Sequence, residues 1–310
     1  MKNANSSYKV SLVGLGKMGL GYDQTNSEFA GTAKSHTGAL LAIETIQTLN
    51  LVELDKPNLS HFRNFSIVNT HDFQNFSQSF QTYDLLIIAT PTNSHLDIVR
   101  QLLNNHALKY AIIEKPCGVS LVECDEIIKL LTAKRVLWYV NYFRSFLPNT
   151  LGAVNFMLAI GEKPISAMIT GYGDLLNIFS HFVHLLTLFT NDLDSVIDLR
   201  LIDISSVRMT FQTGFAVTLY NIGGIRVDSP ILTIVYPSFS LQFKSNGQII
   251  EISKNQDGDL VETFSLRNLD HYQELATREY LRRFDSGLKE EDWRVGKVHE
   301  IVSAINSIYD

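Results

Sequence analysis

Cysteine is almost absent: Cys117 and Cys124 are the only two in 310 residues. Two are too few for a disulfide scaffold, and their spacing is not a recognised metal pair, so both read as reduced thiols of a cytoplasmic protein. Excess positive charge is also lacking. At a formal net charge of -6 the chain has no general attraction for nucleic acid or for anionic membranes, so any anionic ligand needs a local site. No apolar run approaches the length needed to cross a bilayer. The run Val10–Val13, after a polar start, is too short for a signal-peptide core. No internal repeat or low-complexity tract occurs, although Asn, Gln and Ser are frequent between His71 and Gln81. The expectation is a cytoplasmic protein that partners neither nucleic acid nor membrane.

What is present is ordinary globular composition, 45% hydrophobic and 19% charged, in a chain long enough for two domains with separate cores. The first half alternates strand-like and helix-like segments. Tyr8–Val13, Leu49–Leu54, Tyr83–Ala89, Tyr110–Ile113 and Val136–Val140 read as strands covered on both faces. Leu96, Val99, Leu102 and Leu103 recur at helical spacing behind Asn93 or Ser94 as N-cap, and Ser120 with Glu123 forms a capping-box pattern. Such alternation predicts parallel βαβ units in a doubly wound sheet.

After about Asn141 the texture turns α+β. An apolar helix, Asp174–Thr187, precedes β-rich stretches at Ser195–Ile204, Arg208–Tyr220, Ile231–Phe243 and Gln248–Ile252. Hairpin signals stand at Asn221–Gly224 and Asn246–Gly247. Two amphipathic helices, Tyr272–Phe284 and Trp293–Ile308, close the chain. The predicted division is a dinucleotide-binding domain over residues 1–142 and a substrate-binding and oligomerisation domain over 143–310.

Three constellations carry chemistry. The first is Gly14-Leu15-Gly16-Lys17-Met18-Gly19, directly after the first strand. Gly14 permits the tight turn, Gly16 admits a pyrophosphate against bare backbone, and Gly19 lets the next helix pack on the strand. The helix N-terminus then offers N–H groups to the phosphates. Asp55 is the candidate acid for the adenosine ribose, its carboxylate favouring NAD over NADP; Lys56 beside it would suit a 2′-phosphate. An insertion over Tyr22–Ser35 explains the long separation from Gly19.

The second constellation stands at later strand ends, where an α/β sheet binds its ligands. Thr90-Pro91 with His95 follows the fourth strand and Glu114-Lys115-Pro116 the fifth, which makes Thr90, Pro91, His95, Glu114 and Lys115 candidate cofactor contacts. Lys115 there can hydrogen-bond a substrate hydroxyl and the nicotinamide ribose, whereas Glu114 is equally well explained as half of an ion pair with Lys115 or a nearby base. The third is Asn177, His181 and His184, which spacings of four and three put on one helical face, with Asn177 and His184 as candidate substrate contacts and Asn177 a candidate member of the catalytic set. His181 is the natural general acid/base. The competing readings are a core histidine held by backbone and a zinc site, which lacks any further Cys/His cluster.

In this order, Gly14–Gly19, Thr90-Pro91 with His95, Glu114-Lys115-Pro116, Asn141-Tyr142-Phe143-Arg144 and the Asn177/His181 helix resemble the Gfo/Idh/MocA oxidoreductases over essentially the whole chain. The resemblance implies a Rossmann domain, then an α/β domain whose open sheet makes homodimers or homotetramers. It also implies Lys115 and His181 as a catalytic pair, Arg144 near the ligand cleft, and a sugar, polyol or nucleotide-linked sugar as substrate. The familiar Asp-x-x-x-His-x-x-Asp helix is altered here, with Asn177 and His184 in place of the two carboxylates. Leu175-Leu176-Asn177 with Ser180-His181 is similar to a branch associated with bacterial surface-polysaccharide synthesis. The alternatives are a non-catalytic NAD(P)-binding regulator of the same fold and a biliverdin-reductase-like enzyme.

Overall fold

The computed structural model describes residues 7–25, 28–29, 31–54, 65–171, 175–190, 193, 195–203, 206–221, 231–289 and 292–309. The chain divides into two units. The first takes residues 1–143 and 270–292, and the second takes 144–269 and 293–310.

In the first unit the unbroken aliphatic runs become the interior strands. Six strands form one parallel sheet: β1 (Tyr8–Val13), β4 (Ile46–Glu53), β5 (Val68–Asp72), β7 (Leu85–Ile88), β9 (Tyr110–Ile113) and β10 (Leu137–Val140). Their spatial order is β10-β9-β7-β1-β4-β5. All four residues of β7 are completely buried, as a strand covered on both faces requires, and each contributes roughly 1.5–3 kcal/mol of burial. The chain runs from β1 to β4 and β5 on one side, then crosses to β7, β9 and β10 on the other. The order therefore reverses between β1 and β7, which opens a crevice at the carboxyl edge.

Helices α3 (His95–Asn105) and α4 (Leu121–Ala133) pack on each other beside this sheet. The capping box starts α4 in a shifted form: the Ser120 hydroxyl accepts from Glu123 N at 3.3 Å, while Glu123 Oε2 accepts at 3.1 Å from Val119 N, one residue before the cap. Ser94 makes no such cap for α3; its hydroxyl bonds Thr90 Oγ1 and the Pro91 carbonyl instead. Helix α7 (Tyr272–Asp285), expected in the second domain, belongs to the first unit. Aromatic packing puts it there: Phe284 stacks on Tyr110 at 4.6 Å, Tyr280 lies 5.1 Å from Tyr139, and Asp285 accepts from the Tyr8 hydroxyl at 2.5 Å.

The insertion after the glycine turn has its own organisation. One turn of 3-10 helix (Gly21–Asp23) leads into a two-stranded ribbon, β2 (Gln24–Thr25) and β3 (Glu28–Phe29). Helix α1 (His36–Leu41) follows, N-capped by Ser35, whose side chain accepts from Gly38 N. The buried Asp23 carboxylate closes the base of the insertion. It accepts from Thr32 Oγ1, from Lys34 N at 3.0 Å, and from Ser35 N and Oγ at 2.7 and 2.6 Å. Helix α2 (Phe73–Gln78) and the short parallel pair β6 (Gln81–Thr82) and β8 (His106–Ala107) complete the unit.

The second unit is built on an eight-stranded sheet in the order β12-β13-β14-β11-β15-β16-β17-β18. Its strands are β11 (Ser166–Gly171), β12 (Val196–Asp203), β13 (Ser206–Phe211), β14 (Ala216–Asn221), β15 (Leu232–Val235), β16 (Phe239–Lys244), β17 (Ile249–Lys254) and β18 (Leu260–Ser265). Every pairing is antiparallel except β11 with β14. Alternate residues such as Ile169, Val217, Leu219, Ile234, Leu241, Ile250 and Ile252 are buried, the period-two pattern of a sheet with one covered face. Helices α5 (Pro148–Ile160), α6 (Leu175–Thr190) and α8 (Asp292–Tyr309) belong to this unit. Gly152 of α5 lies so close to β18 that a Cβ would stand 2.8 Å from the Phe264 ring.

The β-rich stretch Arg208–Tyr220 resolves into the antiparallel pair β13 and β14, broken at Gly214, whose φ of +86° suits glycine, and Ile231–Phe243 takes in β15 and most of β16. The hairpin expected at Asn221–Gly224 does not join neighbouring strands, because β11 lies between β14 and β15; Ile222–Gly224 lie outside the described residues. The Asn246–Gly247 signal does mark the turn between paired β16 and β17.

Asp23→Asn places an amide N–H₂ against N–H and O–H donors. A loss of about 3 kcal/mol is expected in urea unfolding, and a loss under 1 kcal/mol would show that the staple is dispensable.

Candidate active site

The glycine turn sits where the strand order reverses. Gly14 has φ +94°, and a Cβ there would lie 2.7 Å from the Ala89 carbonyl and from Thr90 Cγ2. This close approach brings the end of β1 against the loop after β7, so Gly14 and Thr90 are neighbours. A Cβ on Gly19 would stand 2.1 Å from the Gly14 carbonyl oxygen. Gly16 differs: it is exposed, and nothing lies within 4 Å of an added Cβ. Two glycines are thus demanded by the fold and one by nothing in the protein itself. That is the cradle expected for a pyrophosphate resting on bare backbone. Exposed Lys17 and half-buried Met18 complete the turn.

The motif does not run straight into a long helix. The Gly16 carbonyl accepts from Leu20 N and Gly21 N, both at 2.9 Å, and the chain then leaves for the insertion. When it returns, His36 N and Thr37 N donate to the Met18 and Gly19 carbonyls at 2.8 and 2.9 Å. The glycine turn acts as the first turn of α1, with the insertion spliced between them.

At the end of β4 the described acid is Glu53. Its Oε2 accepts from Leu15 N at 2.8 Å, within the glycine turn. Asp55, the residue picked from sequence for the ribose, lies outside the described residues, as does Lys56. Glu53 carries its own signal in the sequence, as the acid that closes the run forming β4.

Glu114 and Lys115 follow β9 on the same edge, and the Lys115–Pro116 peptide is cis. Lys115 is half-buried. Glu114 is buried, and its Oε1 lies 2.8 Å from His36 Nε2 and 2.5 Å from Asn141 Nδ2, while Oε2 accepts from Lys115 N at 3.3 Å. Burial alone would raise this carboxyl. Its hydrogen bond to and pairing with His36, the Asn141 amide and the Lys115 cation outweigh burial and bring it below the ordinary carboxylate range. Of the two readings of Glu114, ion-pair half or cofactor contact, the geometry supports the pair, with His36 as the base. His36 and Gln273 had no signal in the sequence as site residues, since they lie 78 residues before and 159 residues after Glu114.

His95 requires a correction. It was expected to touch the cofactor, but its ring is fully buried, with Nδ1 3.1 Å from the Cys117 carbonyl and Nε2 3.0 Å from the Thr90 carbonyl. It clamps the loop after β7 to the loop after β9. Thr90 is half-buried and Pro91 exposed at that rim.

In the second unit, taken by itself, His181 and His184 lie one turn apart on α6 and both are buried. His184 also corrects its sequence reading as a substrate contact: it has no exposed surface, its Nδ1 is 2.7 Å from Ser145 Oγ, and the Phe146 ring lies 6.1 Å away. It ties α6 to the segment after Arg144. The Arg144 guanidinium stands 5.8 Å from the Phe182 ring centroid. Asn177 is on α6, but its side chain lies outside the described residues. Among the described residues no group of three or more His, Cys, Asp or Glu side chains could hold a metal ion, and no helix is long and apolar enough to cross a membrane.

Residues 8–142 match the family described as oxidoreductases with an NAD-binding Rossmann fold, GFO_IDH_MocA. This part of the chain is a Gfo/Idh/MocA domain. Three solved structures share the fold at low identity. Gal80p of Saccharomyces cerevisiae, as a super-repressor mutant, is 15% identical, with TM-score 0.75, 97% of this chain covered and 95% of that one. UDP-N-acetylglucosamine 3-dehydrogenase GnnA of Acidithiobacillus ferrooxidans is 12% identical, with TM-score 0.73 and 96% of each chain covered. An Agrobacterium radiobacter oxidoreductase, solved with NAD+, L-tartaric acid and magnesium, is 14% identical, with TM-score 0.70 and 96% and 95% covered. No curated protein matches the chain by sequence.

Gly16→Ala is expected to leave unfolding stability within about 0.5 kcal/mol of wild type while weakening NADH binding about tenfold or more, read by fluorescence titration. Gly19→Ala should fail to fold stably; an unchanged NADH affinity in Gly16→Ala contradicts the cradle. Acid unfolding offers a second check. Because the folded Glu114 carboxyl is lowered, its stabilising contribution is complete above the ordinary carboxylate range near pH ~4.3 and is lost as pH falls through the lowered value. Glu114→Gln should therefore flatten the acid limb of stability against pH, and an unaltered limb would refute the assignment.

Proposed function

We propose that the chain is an NAD(P)-dependent oxidoreductase, NAD favoured, acting at a hydroxyl-bearing carbon of a sugar, polyol or nucleotide-linked sugar. The observation that carries this reading is the open cradle at Gly16 on the same sheet edge as Lys115. The amides of Gly14–Gly19 would hold the pyrophosphate and Glu53 the adenosine ribose, where a second anion at a 2′-phosphate would be repelled. When bound, the nicotinamide supplies the hydride acceptor or donor.

The chain's own side chains then divide the work. Lys115 donates a hydrogen bond to the substrate hydroxyl and stabilises negative charge as it develops on that oxygen. His181 accepts the hydroxyl proton, an exchange suited to imidazole near neutral pH. Arg144 and the Asn177 amide orient the remaining hydroxyls; without a carboxylate at 177, proton transfer falls to His181 alone. The likeness to GnnA, a UDP-N-acetylglucosamine 3-dehydrogenase, supports a nucleotide-linked sugar as the substrate class. Association into a homodimer or homotetramer through the second unit's sheet is supported by the exposed Met168, Ile197, Ile202 and Tyr220 on its strands.

A second reading, an NAD(P)-binding regulator, is supported by the likeness to Gal80p, described as a transcriptional regulator in its Kluyveromyces lactis form. The two separate cleanly. Lys115→Ala and His181→Ala should each lower kcat about 100-fold or more with NADH affinity within about threefold of wild type. Near-normal kcat in both variants contradicts the catalytic assignment, whereas tight NADH binding with no turnover of any sugar nucleotide favours the regulator.

A further inference from the structure

The Asn, Gln and Ser residues frequent between His71 and Gln81 have no part in the reaction proposed above, and the fold gives several of them a common place. A cleft of about 640 Å³ lies between α2 and α3, within the roughly 300–1,000 Å³ of small-molecule sites. Gln74 and Gln78 line it from α2, and Gln101, Asn104 and Asn105 from α3. Spacings of three and four put each set on one helical face, so two rows of amides border the same gap. Phe73 and Ser77 complete the lining, which contains no ionisable side chain.

Internal bonds fix the width of this gap. Asn105 Nδ2 donates to the Ser77 carbonyl at 2.9 Å, which ties the end of α3 to α2. Beside those two residues the Phe76 and His106 rings stack at 5.1 Å, and the chain leaving each helix pairs as β6 with β8. The charges nearby are engaged elsewhere. Asp72 accepts from Asn75 N and Nδ2, both at 2.8 Å, and Arg100 pairs with Glu126 of α4 and with Asp97. Among the described residues, the side-chain amides of Gln74, Gln78, Gln101 and Asn104 have no hydrogen-bond partner.

We propose that this cleft binds an uncharged polyhydroxy ligand, a neutral saccharide. A side-chain amide offers two N–H donors and a carbonyl acceptor on one flat group. A hydroxyl also donates and accepts, so neighbouring hydroxyls pair with a row of amides and leave neither side unsatisfied. An ionised ligand would give up hydration here with no counter-charge on either wall. An apolar one would meet Phe73 as the single apolar side chain of the lining. The cleft is separate from the glycine turn: α3 starts at His95, whose ring holds the Thr90 carbonyl, and Gln101–Asn105 come roughly 9–15 Å further along the helix. The inference therefore stands apart from the function proposed above.

The test is an NMR titration of the full chain labelled with ¹⁵N at its Asn and Gln side chains. Maltose, cellobiose and sucrose serve as neutral probes, and glucuronate as the charged control. The Gln78 and Gln101 N–H₂ signals are identified by their loss in Gln78→Leu and Gln101→Leu, both exposed positions. At least one neutral probe should shift both signals and saturate in the millimolar range or below. Gln101→Leu, read at Gln78, and Gln78→Leu, read at Gln101, should each weaken that binding about tenfold or more. Signals that stay still with every neutral probe up to about 50 mM, or that move with glucuronate alone, overturn the inference. So does binding that both variants leave unchanged. A sugar that shifts other amides but not these two removes the cleft and leaves the oxidoreductase reading in place, whereas absence of turnover with a saturable shift at Gln78 and Gln101 does the reverse.

Discussion

A carboxylate withdrawn from water must be surrounded by donors, and in the first unit that requirement governs how the sheet edge is assembled. Glu114 draws in His36 from the start of α1, Asn141 from the end of β10 and the backbone of Lys115. Gln273 of α7 closes the ring. Each donor comes from a different stretch of chain, so satisfying one buried charge brings four segments to the same place. The helix that carries His36 is itself hung on the carbonyls of the glycine turn. The cofactor cradle and the lysine loop are therefore parts of one hydrogen-bonded body, where a change at either end is felt at the other.

The legibility of this arrangement in the sequence follows the range of the interactions. The parallel sheet was readable because Leu85–Ile88 and Tyr110–Ile113 are short apolar runs with one fate in a globular chain, burial on both faces. The glycine turn was readable because its spacing is a local steric requirement: Gly14 and Gly19 collide with neighbouring backbone if given a Cβ. Long-range partners left no such trace. Nothing near Gln273 signals that its amide will meet His36 across 237 residues, and α7 joins the first unit through ring contacts with Tyr110 and Tyr139 that no periodicity encodes. The polar residues His95 and His184 misled for the opposite reason. Each stands in a motif rich in ligand-binding chemistry, yet each is buried and spent on holding backbone or helix in place.

That distinction sharpens the functional reading. With His95, His184 and Glu114 held in internal bonds, the proposed function assigns ligand contacts to few groups: the amides of Gly14–Gly19, Glu53, Lys115, and on the second unit His181 with Arg144. A bare cradle, an acid for a ribose, a cation and an imidazole are the minimum set for moving a hydride and a proton between a dinucleotide and an alcohol carbon. In the proposed reaction the altered helix, with Asn177 and His184 where carboxylates are familiar, leaves proton transfer to His181, which makes that residue the one to test when enzyme and regulator are told apart.

The central claim is that a substrate carbon surrenders its hydride in this protein under the control of Lys115 and His181. The direct measurement is isotope transfer: sugar nucleotides deuterated at their ring carbons, incubated with the purified protein and NAD+, with the recovered dinucleotide weighed by mass spectrometry. The account predicts deuterium in the reduced dinucleotide from at least one such sugar with the wild-type chain, and none with Lys115→Ala/His181→Ala. Saturating NAD+ binding with no deuterium transferred from any ring carbon would contradict it and leave a protein that binds the dinucleotide without using it.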